Sequence, residues 1–360
     1  MPEEHIMLGS VPVGMGMPPV ILPDIDVFFN QDIDLAKSMI TSLVKSGAKF
    51  IKAAVIHDPN IVLDDDTQEL YYDHVAKRLV SERYRDLIER KVISLDSYRI
   101  LTDLTRELNA LLVLSVYDSE GADFAVDAGA VALKIASSNI THEYLINYVC
   151  DLGLPIILDT GKASLEEISR AMGWIRAKGS LSRAIIQHSP LAPPHDLKFH
   201  NLHMMRTLGE IFDVPFGLSD HHAGNEMMIA ATALGACVLE KGVCPENAIV
   251  DQDVAHAIPV SRFSDLLTEC TNVYNALGAK MRFLDDIPLR RLDRMGLIAK
   301  VDLRPGSKIN AKEIGFAWPS KGVGAEFWSV VEGCCLIRSI KKGQPVHWSD
   351  VQVENKTACK

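Results

Sequence analysis

The sequence predicts an α/β fold, a (β/α)8 barrel followed by a small β-rich domain. Eight short apolar segments rich in β-branched residues alternate with amphipathic helical patterns over roughly 250 residues. No Gly-rich fingerprint follows the first segment, which disfavours the alternative, an open doubly wound sheet. Residues 290–360 differ from the rest in charge and contain an internal repeat, which indicates a separate domain.

The predicted strands come in regular order along the chain. They are residues 20–22, 50–55, 111–115, 130–135, 155–158, 184–187, 215–219 and 236–240. Between them, apolar residues recur at three- and four-residue spacing, most clearly in 165–172 and 202–212, which predicts helices. Ser164 followed by Glu166 and Glu167 is typical of a helix start.

In such a barrel the functional side chains lie at the carboxyl ends of the strands and in the loops that follow. This position alone selects Asp24, Lys52, Ser115, Asp118, Lys134, Ser137, Asn139, Asp159, Thr160, Gln187, His188, Ser219, Asp220, His221, His222 and Lys241. Lys52 and Lys134 end apolar strands, where a buried ammonium requires an anion. That anion is either a bound ligand or a carboxylate of this chain, for which Asp24 and Asp118 are candidates.

Composition excludes several classes of protein. The chain is 48% hydrophobic with a net charge of −10, which argues against a general nucleic-acid binder. Its apolar runs are shorter than the roughly 18 residues of a membrane span. The first twenty residues are acidic where a signal peptide is basic, and the seven cysteines form no CxxC pair. We therefore expect a cytoplasmic protein with reduced thiols.

Charge and repetition divide the chain. Residues 1–289 carry 24 Lys and Arg against 40 Asp and Glu, whereas residues 290–360 carry 13 against 7. Within the basic tail, the pattern of residues 302–314 recurs at 339–351. The predicted organisation is an N-terminal extension (1–19), the barrel (20–283), a linker (284–294) and the β-rich domain (295–354).

Several short motifs stand at or near the ends of the predicted strands. They are residues 34–37 (DLAK), 134–137 (KIAS), 155–161 (PIILDTG), 215–221 (PFGLSDH) and 233–241 (ALGACVLEK). Together they resemble the motifs of the sialic acid synthase family. The tail resembles the C-terminal SAF (antifreeze-like) domain of that family. The likeness extends from about residue 20 to residue 353, and several motifs in one order are more specific than any alone.

The resemblance implies a barrel that condenses phosphoenolpyruvate with an amino-sugar aldehyde to give a 2-keto sugar acid. It also implies a divalent cation, Mn²⁺ or Mg²⁺, and a homodimer in which the SAF domain of one chain covers the barrel mouth of the other. The implied catalytic positions fall on Asp24, Lys52, His221 and Asp253, with His221 as a metal ligand. The implied substrate-binding positions fall on Lys134, Ser137, Asn139, Thr160, Ser219, Trp318 and Lys321.

This chain departs from the family pattern at several of those positions. Asp24 replaces a Glu, Asn139 replaces the acid/base Glu, and Asp159 replaces a phosphate-binding Ser. Gly242 stands where the second metal His is expected, which weakens the expected metal site. Phe28 and Phe29 replace an Asn and a His, and they would either narrow the pocket or shift it toward a less polar substrate. Trp318 replaces an Arg that reaches into the partner's site.

Two main hypotheses follow, and a third, a barrel retasked to chemistry on a different acid, shares the site residues of the first. In the first, the chain is a divergent synthase in which Lys52 and Lys134 bind the anion while Asp24 and Asp253 handle protons or the metal-bound water. In the second, it is a non-catalytic homologue that binds a sugar or regulates a catalytic paralogue. His200 and His203 are three residues apart and are expected on a solvated helix face. His222 is expected at a helix start, where it could replace the missing metal-binding imidazole.

Overall fold

The computed structural model describes residues 5–73, 76–190, 197–249, 251, 253–279, 289 and 292–353. The chain divides into two compact units, Met1–Gly278 and Ala279–Lys360. Most of the predicted linker lies outside the described residues, so its bounds and those of the two domains stay predictions. No helix in the described ranges is long and apolar enough to cross a membrane.

Strands β1 to β13 belong to the first unit. In chain order they are Ile6–Leu8, Val11–Val13, Val20–Asp24, Phe50–Ala54, Gln68–Asp73, Arg78–Arg83, Leu111–Val116, Ala130–Ile135, Ile156–Asp159, Ala184–His188, Phe216–Asp220, Val238–Cys244 and Ile258–Pro259. Helices α1 to α9 are Ile33–Lys45, Tyr84–Glu89, Leu95–Glu107, Ser119–Asp127, Glu143–Asp151, Leu165–Ala177, His203–Phe212, Glu226–Ala233 and Phe263–Leu277. Helix α6 begins with the predicted cap, in which Ser164 and Glu167 each bond to the other's backbone N–H.

The barrel consists of β3, β4 and β7 to β12, all parallel. The sheet closes because β11 pairs with β12, where Ser219 is the register partner of Glu240. The predicted barrel and its eight strands are therefore confirmed, and the open-sheet alternative is wrong. The largest boundary difference is β12, which continues to Cys244.

Each barrel strand turns an apolar residue inward and, two residues later, a polar one. The inward apolar residues are Leu22, Phe50, Val113, Ala132, Ile157, Ile185 and Val238, joined by Gly217 on β11. The polar residues two positions later are Asp24, Lys52, Ser115, Lys134, Asp159, Gln187, Ser219 and Glu240. Side chains alternate between the two faces of a strand, so the barrel interior becomes one apolar layer and one polar layer above it. The alternate residues pack outward against the helices.

The hairpin of β1 and β2 closes the end of the barrel at which the strands begin. Ile6, Leu8 and Val13 belong to the same buried cluster as the inward apolar residues. Leu8 is fully buried. Because this end is filled by apolar side chains, the open end lies at the carboxyl ends of the strands.

The second unit contains β14 (Gly296–Ala299), β15 (Ile314–Ala317), α10 (Trp328–Val331), β16 (Cys335–Leu336) and β17 (Val351–Gln352). The repeat read from the sequence has a structural counterpart. Leu303 and Ile340, equivalent in the two copies, each donate a backbone hydrogen bond to the other's carbonyl, at 2.8 and 3.0 Å. Gly306 and Gly343 both have left-handed φ angles, of 86° and 79°, which explains a glycine in each copy.

The cysteines partly match the expectation of reduced thiols. Five are free and buried: Cys150, Cys237, Cys244, Cys270 and Cys334. Cys335 is disulfide-bonded, so the expectation was wrong for that residue. The five buried thiols lie in both units, so the fold does not depend on a disulfide framework.

Candidate active site at the carboxyl end of the barrel

The polar layer is the floor of the site. Each of its eight side chains is at most 8% exposed. Seven of them line a cavity of about 1150 Å³ above the barrel. The eighth, Gln187, lies over Gly217 and donates to the carbonyl of Leu218 at 3.4 Å.

The two lysines of this floor are paired with carboxylates. Lys52 Nζ lies 2.5 Å from Asp24 Oδ2 and 3.5 Å from Glu240 Oε1. Lys134 Nζ lies 2.6 Å from Glu240 Oε1 and 2.8 Å from Asp159 Oδ2. Glu240 therefore bridges both ammonium groups. Asp24 is a partner of Lys52, as the sequence allowed, but Asp118 contacts His57 and neither lysine.

These contacts and burial set the protonation of the floor. Burial raises the pKa of Asp24 to about 7, although Lys52 opposes the shift. Burial alone would also raise the pKa of Glu240, but Lys134 and Lys52 lower it to about 2. Asp24 can therefore change protonation near neutral pH, whereas Glu240 stays ionised.

The Ser219 hydroxyl lies between the charged groups, 3.3 Å from Lys134 Nζ and 3.3 Å from Glu240 Oε1. Ser137 and Asn139 also line the cavity, and Asn139 Nδ2 is buried without a hydrogen-bond partner in the described residues. Ser137 and Asn139 can therefore donate to a ligand, whereas the Ser219 hydroxyl accepts from Lys134 and donates to Glu240. Thr160 is different, since its hydroxyl donates to the Gln187 carbonyl at 2.9 Å and the residue is absent from the cavity wall.

A second ion cluster lies in the cavity wall. Lys91 Nζ is 2.9 Å from Asp251 Oδ2 and 3.1 Å from Asp253 Oδ2. Burial alone would raise the pKa of Asp253, but Lys91 and His256 lower it to about 2. Asp253 is therefore ionised near neutral pH. Acidic side chains outnumber lysines along the whole described wall, by nine to four.

The cavity wall beside Asp253 carries two imidazoles. The rings of His221 and His256 lie with centroids 4.4 Å apart. His221 Nδ1 is 3.3 Å from Ser189 Oγ, and His256 Nε2 is 4.0 Å from Asp253 Oδ1. Imidazole nitrogens and a carboxylate are donors that suit a divalent transition metal. No group of three or more His, Cys, Asp or Glu side chains among the described residues is arranged to hold one.

The outer rim of the cavity is largely apolar. The 3₁₀ turn Pro59–Ile61, the segment after it and the β5–β6 hairpin contribute Ile61, Leu63, Leu70 and Leu79, each at least 40% exposed. Phe28 also lines the cavity, whereas Phe29 belongs to the core between barrel and helices. Of the two phenylalanines, Phe28 is therefore the one that can change the shape or the polarity of the pocket, and Phe29 is not.

Other sequence expectations change once the fold is known. His200 was expected on a solvated helix face but is 4% exposed, because helix α7 begins only at His203 and His200 lies in a separate 3₁₀ turn. His222 contacts Glu226 at 3.3 Å and is absent from the cavity wall. Lys241 is buried against Asp220 at 2.8 Å, also outside that wall. Trp318 and Lys321 belong to the second unit.

Sequence reasoning missed three residues that matter here: Glu240, Lys91 and His256. The sequence does contain a pattern that marks Glu240. It follows Val238 by two residues, as Ser219 follows Gly217 on the neighbouring strand. Lys91 lies just after a short helix of the β4–β7 connection, and His256 lies in a 3₁₀ turn after β12. No pattern in the sequence marks these two, because loops bring them to the cavity.

Comparisons with known proteins agree with this architecture. Residues 39–282 match the NeuB family, and residues 294–352 match the SAF domain. The N,N'-diacetyllegionaminic acid synthase of Legionella pneumophila is 24% identical over 96% of this chain and 98% of its own length. The pseudaminic acid synthase of Helicobacter pylori is 26% identical over 94% and 99%.

A solved structure is similar as well. The N-acetylneuraminic acid synthetase of Leptospira borgpetersenii, crystallised with citrate, superposes with a TM-score of 0.67. It is 23% identical, and the match covers 80% of this chain and 95% of that one, so this likeness bears on the fold alone. With the barrel, its polar floor and the second unit in place, the family match over 39–282 shows that the chain belongs to the NeuB family and carries a C-terminal SAF domain.

Proposed function

We propose that this chain is a synthase that condenses phosphoenolpyruvate with an N-acetylated amino-sugar aldehyde to give a 2-keto sugar acid. The observation that carries the proposal is the buried pair Lys52 and Lys134, side by side on Glu240 at the floor of an open cavity. Buried ammonium groups at this place suit a small multiply charged anion. The named relatives make sugar acids of this class.

In this reaction, C3 of phosphoenolpyruvate bonds to the aldehyde carbon, the aldehyde oxygen gains a proton, water adds at C2 and phosphate leaves. Lys52, Lys134 and Ser219 would bind the carboxylate and phosphate of the donor. Asp24, with a pKa of about 7, can hold or release a proton as the charge beside it changes. An arriving anion favours protonated Asp24 and so frees Lys52 from its internal partner.

The acceptor sugar would occupy the outer cavity. Carboxylates such as Glu69 and Asp26 can accept hydrogen bonds from sugar hydroxyls, and the apolar rim offers contacts for acetamido methyl groups. A divalent cation, which the resemblance implies, would supply a Lewis acid for the aldehyde oxygen when bound, with His221 as its predicted ligand and Asp253 in the same wall.

The test is phosphate release from phosphoenolpyruvate in the presence of a panel of N-acetylated amino sugars and Mn²⁺. We expect release that requires the sugar, with a product mass equal to both substrates plus water minus phosphate. Lys134→Met should abolish it, and Lys178→Met should not, since Lys178 pairs with Asp151 on the surface. Phosphoenolpyruvate binding without turnover on any sugar would contradict the proposal.

A second candidate function is sugar binding without catalysis, for instance in a regulator of a catalytic paralogue. The specific observation in its favour is that Asp159 places a third carboxylate on the two lysines, where a phosphate would otherwise be the anion. Asn139, whose amide cannot transfer protons, points the same way. Saturable sugar binding with no phosphate release would support this candidate.

We further propose that the chain works in the cytoplasm as a homodimer in which the SAF domain serves the partner's barrel. The basic tail and acidic body fit such an arrangement. Light scattering of the purified chain measures the oligomeric state, and a monomer at micromolar concentration would contradict it.

A further inference from the structure

We propose that His256 supplies, together with His221, the second imidazole of a divalent transition-metal site, in place of the imidazole that the sequence lacks at Gly242. The inference deepens the proposed function and rests on it for the role of the metal in the reaction. The metal site itself is argued from side chains and can be tested without turnover.

His256 is a buried imidazole with an unused nitrogen. It lies in the 3₁₀ turn Val254–His256 after β12 and is 5% exposed. It lines the cavity, and its Nδ1 has no hydrogen-bond partner among the described residues. A buried polar atom without a partner is unfavourable, so a ligand for it is expected.

The two rings are held so that each leaves one nitrogen for a ligand. His221 uses Nδ1 toward the Ser189 hydroxyl at 3.3 Å. His256 has Nε2 on the side of the Asp253 carboxylate at 4.0 Å. Within the described residues this leaves His221 Nε2 and His256 Nδ1, on rings whose centroids are 4.4 Å apart. A hydroxyl or carboxylate behind a ligating imidazole is the usual way in which proteins orient it.

The surroundings of Gly242 explain why the second imidazole comes from residue 256 and not from residue 242. A Cβ at residue 242 would lie 3.3 Å from Ala257 Cβ and 3.5 Å from Phe28 Cε2. Ala257 is the neighbour of His256 in sequence. The segment that brings His256 to the cavity therefore occupies the space that a side chain at 242 would need, and one imidazole substitutes for the other.

The donor set also indicates which metals bind. Two imidazoles favour Mn²⁺, Co²⁺ or Zn²⁺ over Mg²⁺, which prefers oxygen ligands. Two protein ligands leave the remaining positions to water or substrate, as in catalytic rather than structural sites.

The test is calorimetric titration of the full chain with Mn²⁺ and Co²⁺, without substrates. We expect one site per chain, weakened at least about tenfold by His256→Gln and by His221→Gln. The matched control is His200→Gln, because His200 is equally buried and its Nδ1 also lacks a described partner, but it is absent from the cavity wall. That variant should bind as the wild type does.

A second measurement needs no variant and so does not depend on the folding of His256→Gln. Pulsed EPR of the Cu²⁺-loaded wild-type chain counts coordinated imidazole nitrogens, and we expect two. One imidazole, no binding at millimolar Mn²⁺, or unchanged affinity in His256→Gln would each overturn the inference. A chain that binds Mn²⁺ through both rings but releases no phosphate would refute the proposed function and leave the metal site standing.

Discussion

Under the proposed function, the neighbours of Lys134 set the strength of anion binding at the barrel mouth. It contacts two carboxylates, Glu240 and Asp159, and Glu240 also contacts Lys52. A phosphate placed there meets the charge of Asp159 at short range. If the proposed function is right, Asp159 therefore competes with the bound anion for Lys134.

Asp159→Ser should tighten the binding of phosphoenolpyruvate and of inorganic phosphate about tenfold, because like charges a few ångströms apart repel by on the order of 1 to 4 kcal/mol. Calorimetry with each ligand measures the change. Asp151→Ser is the control, since Asp151 pairs with Lys178 on the surface. Equal affinity in Asp159→Ser and wild type would show that phosphate binds away from Lys134.

Asp24 predicts a specific pH dependence of stability. Its folded pKa of about 7 lies above the ordinary value of 3.8, so the folded state binds the proton more tightly than the unfolded state does. The free energy of unfolding should therefore lose a contribution as pH rises from about 4 to 7, on the order of 3 kcal/mol from this group. Asp24→Asn removes that contribution to the pH dependence.

Urea denaturation of wild type and Asp24→Asn between pH 4 and 7 checks this. The unfolding free energy of Asp24→Asn minus that of the wild type should increase as pH rises. Asp34→Asn, at an exposed carboxylate paired with Lys37, should follow the wild-type curve. Parallel curves for Asp24→Asn and wild type would contradict the raised pKa.

Among the secondary-structure elements, the barrel strands determine where the polar side chains of the candidate site lie. The two-residue offset between the apolar and polar layers places eight polar side chains at one depth. Strand β11 has a glycine in the apolar layer. A Cβ at Gly217 would lie 2.2 Å from the carbonyl oxygen of Val238 on the paired strand, so the strands can pair here only without one.

Gly217→Ala should therefore destabilise the chain by about 2 kcal/mol or more, because main-chain atoms must move to admit the methyl group. The matched substitution is Gly173→Ala in α6, where a Cβ meets nothing within 4 Å. Alanine there should stabilise the helix by about 0.5 to 1 kcal/mol. Thermal unfolding of both variants measures the difference in stability between them. Similar melting temperatures would contradict the close approach of β11 and β12 at Gly217.

At the level of the whole molecule, the chain joins an acidic barrel unit to a basic tail unit. The family resemblance places Trp318 where an arginine reaches into the partner's site, and Trp318 is 66% exposed. Such a side chain contributes little to the fold of its own unit. Its exposure suits a role toward a second molecule.

Subunit mixing tests this role. Lys134→Met and the double variant Trp318→Ala, Lys321→Ala should each have low synthase activity alone. After mixing and exchange, activity should return, because one barrel of the mixed dimer has an intact floor and an intact SAF domain opposite it. As a control for a substitution elsewhere on the SAF surface, Lys134→Met is mixed with Trp348→Ala instead of with the double variant. No recovery would show that each SAF domain serves its own barrel.

The barrel, the repeat in the tail and much of the polar floor could be predicted from the sequence. Strand periodicity and position at strand ends are local properties, so Asp24, Lys52, Lys134, Asp159 and Ser219 could be selected without coordinates. The folded structure was needed to show that Glu240 bridges both lysines, that Thr160 bonds to backbone, and that His256 lies beside His221. These contacts join strands and loops far apart in the chain, and the distances between them settle which charges pair and which protons are held.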